Sequence, residues 1–250
     1  MTVSSKSDLA GLERVGSLVA LALREMERET RPGLSTAQLD AIGAAFLRKH
    51  GARSAPQLSY GFPGFTCISV NEQIVHGVPG PRVLAPGDVV KIDVTAELDG
   101  FVADAAITVT LPPVTAEARR LRKCAQRAFT RAMTVARAGT AIREIGRVVE
   151  EEVTRHDFAV VREMCGHGVG RSIHESPSVP NYYSMMTRGT LANGMVLAVE
   201  PIICARAAHV VEEADGWTLR THNGSLAAHY EHTVVIGEGE PHVITRLPAA

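Results

Sequence analysis

Four carboxylates and one histidine are the side chains of this 250-residue chain whose types and spacing most clearly predict chemistry. Two of the acids flank Asp99-Gly100, a dipeptide typical of a tight hairpin turn between strands. With that turn, Thr95 pairs with Asp104, and Asp93 lies diagonally across on the same face, with the backbones about 7–8 Å apart. The spacing therefore predicts that these two carboxylates converge. The competing interpretation is that both acids lie on a sheet face exposed to solvent.

Glu200 lies within residues 195–203, an otherwise apolar run that is predicted to be a buried strand. An ionised carboxylate that leaves water costs several kcal/mol unless it is paired or binds a metal. No lysine or arginine stands close to it in sequence. Glu231 begins another predicted strand, 231–236, where a solvated strand position is the simpler alternative for a lone acid. Glu200 is thus the stronger candidate for a metal ligand.

His167 is flanked by Gly166 and Gly168, and small neighbours leave an imidazole accessible to a ligand. A phosphate-binding loop is the alternative for these glycines, but their spacing is not the dinucleotide fingerprint and no convincing helix follows. One histidine with four acids is a mostly oxygen ligand set, which suits two Mn, Fe, Co or Zn ions and indicates hydrolysis. The predicted ligands are Asp93, Asp104, His167, Glu200 and Glu231.

An internal repeat positions these residues. Residues 31–50 match 137–156 at an offset of 106, and residues 87–93 match 194–200 at an offset of 107, which sets Glu200 in the role of Asp93. Two matches at nearly one offset indicate two related halves within a single catalytic domain that covers residues 1–250. The predicted halves are 1–112 and 113–250.

Hydrophobic periodicity places helices at the start of each half and strands after them. The predicted helices are 8–28, 36–49, 115–137 and 141–155. The predicted strands are 66–70, 89–97, 101–110, 159–164, 195–203, 209–213 and 231–236. These elements predict an α+β fold in which helix pairs cover one face of a mainly antiparallel sheet.

The overall composition excludes several classes of function. Lysine and arginine number 26 against 27 acids, so nothing favours binding to the phosphates of nucleic acids. No apolar run is long enough to span a membrane, and the N-terminus does not resemble a signal peptide. The four scattered cysteines favour buried, reduced thiols. We therefore expect a cytoplasmic protein without membrane or nucleic-acid partners.

The chain resembles the type I methionine aminopeptidases of the pita-bread fold from about residue 8 to residue 245. The resemblance implies two pseudo-symmetric halves around a curved sheet. It also implies that Asp93 chelates one metal ion, that Asp104 and Glu231 bridge two ions, and that His167 and Glu200 complete the second. The motifs that carry it are Cys67-Ile-Ser-Val-Asn-Glu, His76-Gly-Val-Pro, Lys91-Ile-Asp-Val-Thr, Gly166-His-Gly-Val-Gly, His174-Glu, Val199-Glu-Pro, Gly216-Trp-Thr and Tyr230-Glu-His-Thr.

The same resemblance implies a mechanism. A bridging water or hydroxide attacks the first peptide bond, and Glu200 shuttles its proton. His174 hydrogen-bonds the carbonyl oxygen as negative charge develops there, and His76 contacts the amide nitrogen of the leaving side. Phe62 and Trp217 line the methionine pocket. The implied enzyme is a monomer that removes the first methionine of nascent polypeptides, at the ribosome or after release, when the second residue is small.

Two other interpretations share this sequence pattern. Prolidases, X-Pro aminopeptidases and creatinases use the same metal set, but typically carry an additional N-terminal domain. Non-catalytic binding proteins of the same fold lose metal ligands, whereas all five ligand positions are filled here. The methionine aminopeptidase interpretation is therefore favoured over both.

Overall fold

The computed structural model of the chain describes residues 1–247. Its helices are α1 Lys6–Glu29, α2 Thr36–Lys49, α3 Ala55–Tyr60, α4 Ala116–Met133 and α5 Arg143–Arg155. Its strands are β1 Arg53–Ser54, β2 Cys67–Val70, β3 Gln73–Val75, β4 Val89–Leu98, β5 Phe101–Thr110, β6 Ala159–Val160, β7 Cys165–Gly168, β8 Glu175–Pro180, β9 Val196–Val199, β10 Ile202–Cys204, β11 Val210–Glu212, β12 Leu219–Thr221, β13 Ala227–His229, β14 Glu231–Val235 and β15 His242–Val243.

Side-chain caps lie at the starts of three of the four long helices, α1, α2 and α4. The hydroxyl of Ser5 accepts from the amide of Asp8 at the start of α1. At the start of α2, Ser35 and Gln38 form a reciprocal capping box, and Thr115 caps α4. Each cap satisfies backbone amides that have no partner inside the helix. The predicted helices are confirmed, although α4 ends at residue 133 and α5 begins at residue 143.

A nine-stranded sheet forms the centre of the molecule, and its main path runs in the order β1-β4-β5-β14-β9-β7-β8. β2 joins it beside β4, and β15 beside β14. All strand pairs of this sheet are antiparallel. The predicted α+β class and mainly antiparallel sheet are therefore confirmed, with the candidate ligands on its middle strands. Two further sheets of three strands have the orders β13-β10-β6 and β11-β12-β3.

Two apolar clusters join helices to this sheet. One packs α1 and α2 on β4 and β5, with side chains such as Val19, Leu39 and Ile92 fully or almost fully buried. The other packs α4 and α5 on β9 and β14 through residues that include Leu121 and Val234. Burial of apolar surface is the main stabilising contribution to such layers. Each helix pair thus holds one pair of central strands in place.

The hairpin between β4 and β5 has the predicted register. Leu98 pairs with Phe101 and Thr95 pairs with Asp104. Asp99 and Gly100, the two turn residues, have φ angles of 52° and 79°, as a type I′ turn requires. Because side chains alternate along a strand, this register puts the two acids of the hairpin on one face.

Several predicted boundaries are wrong. The run 195–203 is two strands, β9 and β10, because Pro201 has no amide hydrogen with which to continue the ladder after Glu200. The prediction 159–164 is too long, since β6 covers only two residues. The sequence patterns also did not indicate α3 or the strands β7 and β8, which are rich in glycine, serine and proline. Among residues 1–247, no helix combines the length and apolar character that crossing a membrane requires.

Candidate active site

A cavity of about 280 Å³ opens at the middle of the sheet and collects the predicted site residues. The five predicted ligands line it, together with the two predicted catalytic histidines and the two aromatic residues of the predicted pocket. These nine residues are Asp93, Asp104, His167, Glu200, Glu231, His76, His174, Phe62 and Trp217. Residues from both predicted halves therefore meet at one site.

Asp93 and Asp104 reach the cavity from the β4–β5 hairpin. Thr95, directly opposite Asp104, donates a hydrogen bond of 2.8 Å to Oδ1 of that carboxylate. The backbone amide of Asp104 donates to Oγ1 of Thr233 at 2.8 Å, and that hydroxyl donates to the carbonyl of Asp104 at 2.8 Å. Side chain and backbone of Asp104 are thus both held, which fixes the direction of its second oxygen.

Glu200 and Glu231 reach the same cavity from β9 and β14. Glu231 pairs with Ala106 of β5, so β14 brings this acid beside the hairpin. Glu200 directly follows β9, and its carbonyl accepts from Nδ2 of Asn181 at 2.9 Å. Both acids are at least nine-tenths buried. The four carboxylates therefore converge on the central strands.

His167 completes the cluster from β7. Its Nδ1 donates to the carbonyl of Gly168 at 2.9 Å, which leaves Nε2 as the free nitrogen. That Nε2 lies 3.3 Å from Oε1 of Glu200 and 4.0 Å from Oδ2 of Asp104. A backbone carbonyl on the outer nitrogen is the usual way in which a ligating histidine is oriented.

The electrostatics of the cluster fit bound cations. Burial, followed by the charge of neighbouring acids, raises the pKa values of Asp93, Glu200 and Glu231 well above their ordinary range. Burial also raises the pKa of Asp104 to about 6 and lowers that of His167 to about 4. These shifts arise because the charged forms are removed from water.

The side-chain oxygens of the cluster point to the same conclusion. Oδ1 of Asp93 and Oε1 of Glu231 are buried and have no hydrogen-bond partner in the part of the chain that the structure describes. Within residues 1–247, no ion pair joins any of the four acids to a lysine or arginine. Buried carboxylates need a compensating positive charge, and divalent metal ions supply one. The residues present therefore fit a metal centre.

The two predicted catalytic histidines border the cluster on its open side. The ring of His174 lies edge-on to that of His167, with centroids 4.3 Å apart. The hydroxyl of Tyr60, a residue that the sequence interpretation missed, lies 2.7 Å from Nδ1 of His174. His76 is half-buried at the end of β3 with a φ angle of 55°. Burial lowers the pKa values of both histidines, so both are neutral imidazoles near pH 7.

Phe62 and Trp217 form an aromatic wall of the cavity. Their rings meet edge to face with centroids 5.3 Å apart, a favoured geometry for aromatic pairs. Phe62 follows α3, and Trp217 lies in the turn before β12, where Asp215 accepts from its amide at 2.9 Å. Cys67 and Ile173 also line the cavity, so its apolar part lies directly beside the acids.

His229, at the end of β13, is a cavity residue that the sequence interpretation missed. Its Nε2 lies 3.3 Å from Oε2 of Glu231 and 3.6 Å from Oε2 of Glu200. Burial lowers its pKa to about 3. One signal was available: His229 stands two positions before Glu231, and alternation along a strand would set both on one face.

Residues 10–238 match the family described as metallopeptidase family M24. The chain is a member of metallopeptidase family M24. A methionine aminopeptidase 2 of Bacillus subtilis is 43% identical over 249 residues, which cover 99% of this chain and all of that one. The structure of a methionine aminopeptidase from Thermotoga maritima superposes with a TM-score of 0.95 at 33% identity and covers 98% of this chain and 100% of that one.

More distant solved structures share the fold. An Xaa-Pro dipeptidase from Bacillus anthracis has a TM-score of 0.79 at 20% identity, with 100% of this chain and 63% of that chain covered. Together with the Thermotoga maritima structure, this likeness confirms the predicted pita-bread fold class. Membership of the M24 family also establishes that the chain is related to metal-dependent hydrolases.

Proposed function

We propose that this chain is a methionine aminopeptidase, which hydrolyses the first peptide bond of a polypeptide that begins with methionine and has a small second residue. The observation that carries the proposal is the convergence of four buried carboxylates and His167 beside an apolar wall in one cavity. The likeness to the methionine aminopeptidases of Bacillus subtilis and Thermotoga maritima supports this substrate class.

Two divalent ions, of Mn, Fe, Co or Zn, fit the donor set of the cavity. Asp93 would chelate one ion, Asp104 and Glu231 would bridge both, and His167 and Glu200 would complete the other. Two groups of ligand atoms that share Glu231 support this proposal, because in each group the atoms lie within 4.8 Å of one another. When bound, such ions polarise the scissile carbonyl and make water a stronger nucleophile at neutral pH.

Three side chains of the chain would act on the substrate. Glu200 accepts the proton of the attacking water on a carboxylate oxygen and delivers it to the leaving amine. His174 donates from Nε2 to the carbonyl oxygen as negative charge develops there. His76 contacts the amide nitrogen of the leaving side. The position of all three on the wall of one cavity supports these roles.

The methionine side chain would lie against Phe62 and Trp217. A thioether is flexible and polarisable, and it makes favourable contacts with the edges of aromatic rings. The edge-to-face pair offers such an edge beside the acids. A second residue with a large side chain would have to fit past the half-buried His76 and the neighbouring wall, which favours a small one.

The single catalytic domain would consist of two pseudo-symmetric halves, residues 1–112 and 113–250. Backbone angles at matched positions support this proposal. Gly33 and Gly139 have φ angles of 88° and 86°. His50 and His156 end α2 and α5 with φ angles of −100° and −99° and the same ψ of 11°. Equal local conformations at an offset of 106 residues are expected if the halves are related.

In the cell, the substrates would be the N-termini of nascent polypeptides in the cytoplasm, reached at the ribosome or after release. The near balance of 26 basic and 27 acidic residues supports an enzyme without a nucleic-acid partner. The family resemblance favours a monomer.

A panel of short peptides tests the proposed activity. After removal of bound metal with a chelator, the enzyme is assayed with Mn(II), Co(II) or Fe(II) on Met-Ala-Ser, Met-Lys-Ser and a peptide with a non-methionine first residue followed by proline. We expect turnover of Met-Ala-Ser and no turnover of Met-Lys-Ser. Equal turnover of the proline peptide would instead assign the enzyme to the X-Pro peptidases.

A further inference from the structure

His229 is held rigidly beside the proposed metal centre. Its backbone amide donates to Oγ1 of Thr108 at 2.9 Å, and that hydroxyl donates to the carbonyl of His229 at 2.8 Å. On the other edge of its strand, His229 pairs with Ile202, two residues after Glu200. The backbone from which the imidazole projects is therefore fixed on both sides.

Among the described residues, neither nitrogen of the His229 imidazole has a hydrogen-bond partner. The side chain is only 2% exposed, so solvent cannot replace the missing partners, and both Nδ1 and Nε2 are buried without a hydrogen bond. Nε2 lies 3.3 Å from Oε2 of Glu231 and 3.6 Å from Oε2 of Glu200, and neither contact is a hydrogen bond. A buried polar ring without a partner is costly and requires a physical explanation.

Two other histidines, the partly buried His232 and the buried His167, have hydrogen-bond partners. Nδ1 of His232 lies 2.9 Å from Oγ1 of Thr245, and its Nε2 lies 3.1 Å from the hydroxyl of Tyr230. His167 has a carbonyl partner on Nδ1. The free nitrogens of His229 are therefore not a general property of buried histidines in this fold.

We propose that His229 is a sixth protein ligand of the metal centre and binds the ion that Asp93 chelates. Ligand atoms of Asp93, His229 and Glu231 all lie within 4.8 Å of one another, and those of Asp104, His167 and Glu231 form a second such group. With the ligands proposed for the two ions, each position then has one histidine and three carboxylates, of which Asp104 and Glu231 are shared. This inference rests on the proposed metal-dependent function.

An additional imidazole changes which metals the centre prefers. Nitrogen donors favour Fe, Co and Zn over Mn, whose affinity for mixed nitrogen and oxygen sites is lower. With His229 as a ligand, neither ion position is built from oxygen donors alone. The inference therefore predicts tighter retention of Co(II) or Zn(II) than of Mn(II).

Pulsed electron paramagnetic resonance of the full chain with Mn(II) as the probe tests the proposal, since it detects nitrogen bound directly to the ion. His167→Ala removes the other imidazole proposed as a ligand. We expect nitrogen coupling to persist in this variant and to vanish when His229→Gln is added. Bound Mn(II) without nitrogen coupling in His167→Ala would overturn the proposal.

A second measurement keeps the proposal testable if His167→Ala binds no Mn(II). Equilibrium dialysis with Co(II) compares the wild type, His229→Gln and the matched control His232→Gln, with circular dichroism as the check of folding. We expect at least a tenfold loss of Co(II) affinity and an altered visible spectrum in His229→Gln alone. Affinity and spectrum equal to those of the wild type would contradict a ligand role.

The outcomes separate this inference from the proposed function. Nitrogen coupling that persists in His167→Ala and depends on His229, in a protein whose wild type does not cleave Met-Ala-Ser, would support the ligand and reject the peptidase activity. Cleavage of Met-Ala-Ser by a His229→Gln variant with unchanged Co(II) binding would support the activity and reject the ligand.

Discussion

The hydroxyl of Tyr60 lies 2.7 Å from Nδ1 of His174, although 114 positions separate the two residues in sequence. Their rings are also close, with centroids 5.7 Å apart. A neutral imidazole carries one proton, and if the hydroxyl donates to Nδ1 that proton resides on Nε2. We predict this direction, in which Tyr60 holds His174 in the tautomer that its proposed role as a donor to the substrate carbonyl requires.

Tyr60→Phe removes this hydrogen bond and keeps the ring. We expect kcat for Met-Ala-Ser to fall by up to about tenfold with little change in KM, because a typical hydrogen bond contributes about 1 kcal/mol. Steady-state kinetics measures both parameters. Tyr183→Phe, at an exposed tyrosine outside the cavity, is the matched control. An unchanged kcat in Tyr60→Phe would contradict the prediction that Tyr60 positions the imidazole of His174.

His167→Ala removes the imidazole whose Nε2 faces Glu200 and Asp104. We expect loss of metal-dependent turnover, because the remaining donors cannot complete one of the two ion positions. Bound metal is measured by elemental analysis, and the fold by circular dichroism. His50→Ala, at an exposed histidine that ends α2, serves as the control and should retain activity. Activity retained in a folded His167→Ala protein would overturn the ligand assignment.

Trp217→Ala opens the aromatic wall of the cavity next to Phe62. Loss of a contact between the ring and a thioether costs about 0.3–1.5 kcal/mol, so we expect KM for Met-Ala-Ser to rise roughly two- to tenfold. The effect on kcat should be smaller, since the ring is proposed to contact only the methionine side chain. Tyr183→Leu, outside the cavity, should leave KM unchanged. A KM equal to that of the wild type in Trp217→Ala would exclude this wall from methionine binding.

Lys91 lies inside β4 with 1% exposure, and its Nζ donates to the carbonyl of Asn71 at 2.7 Å. Burial lowers its pKa from 10.5 to about 7. Between these two values the unfolded chain binds more protons than the folded chain, so this lysine makes the free energy of unfolding rise with pH. The slope is at most about 1.4 kcal/mol per pH unit.

Lys91→Met should therefore flatten the pH dependence of stability above pH 7. Urea unfolding at pH 7, 8 and 9 measures the difference from the wild type. Lys49→Met, at an exposed lysine in the last turn of α2, should follow the wild type. If the free energy of unfolding changed with pH equally in Lys91→Met and the wild type, the lowered pKa of the buried lysine would be contradicted.

Local sequence patterns were sufficient to predict how Asp93 and Asp104 are placed in the site. Asp93 and Asp104 share a face because a two-residue turn at Asp99-Gly100 sets the register of the whole hairpin, and side chains alternate along both strands. The four long helices were likewise predicted from periodicity, and short capping patterns such as Ser35 with Gln38 lie at the starts of α1, α2 and α4. Interactions between residues close in sequence decide these features.

Close packing between distant segments decided β7, which the sequence patterns did not indicate. A Cβ atom at Gly166 would collide with the carbonyl of Ala198, and one at Gly168 with that of Ser176. Glycine normally weakens a strand, but here it lets β7 approach β8 and β9 closely enough to bring His167 to Glu200. No local pattern carries this information.

The amino-acid sequence by itself determined the hairpin acids, the helices and, through the family motifs, the residues that the cavity collects. Only the tertiary structure decided the close approach of β7 to β8 and β9, the contact of Tyr60 with His174 and the burial of the His229 ring beside Glu200 and Glu231. The physical reason is the separation in sequence over which each interaction acts. Turns, caps and alternation act between near neighbours, whereas these contacts depend on how strands far apart in sequence pair and pack.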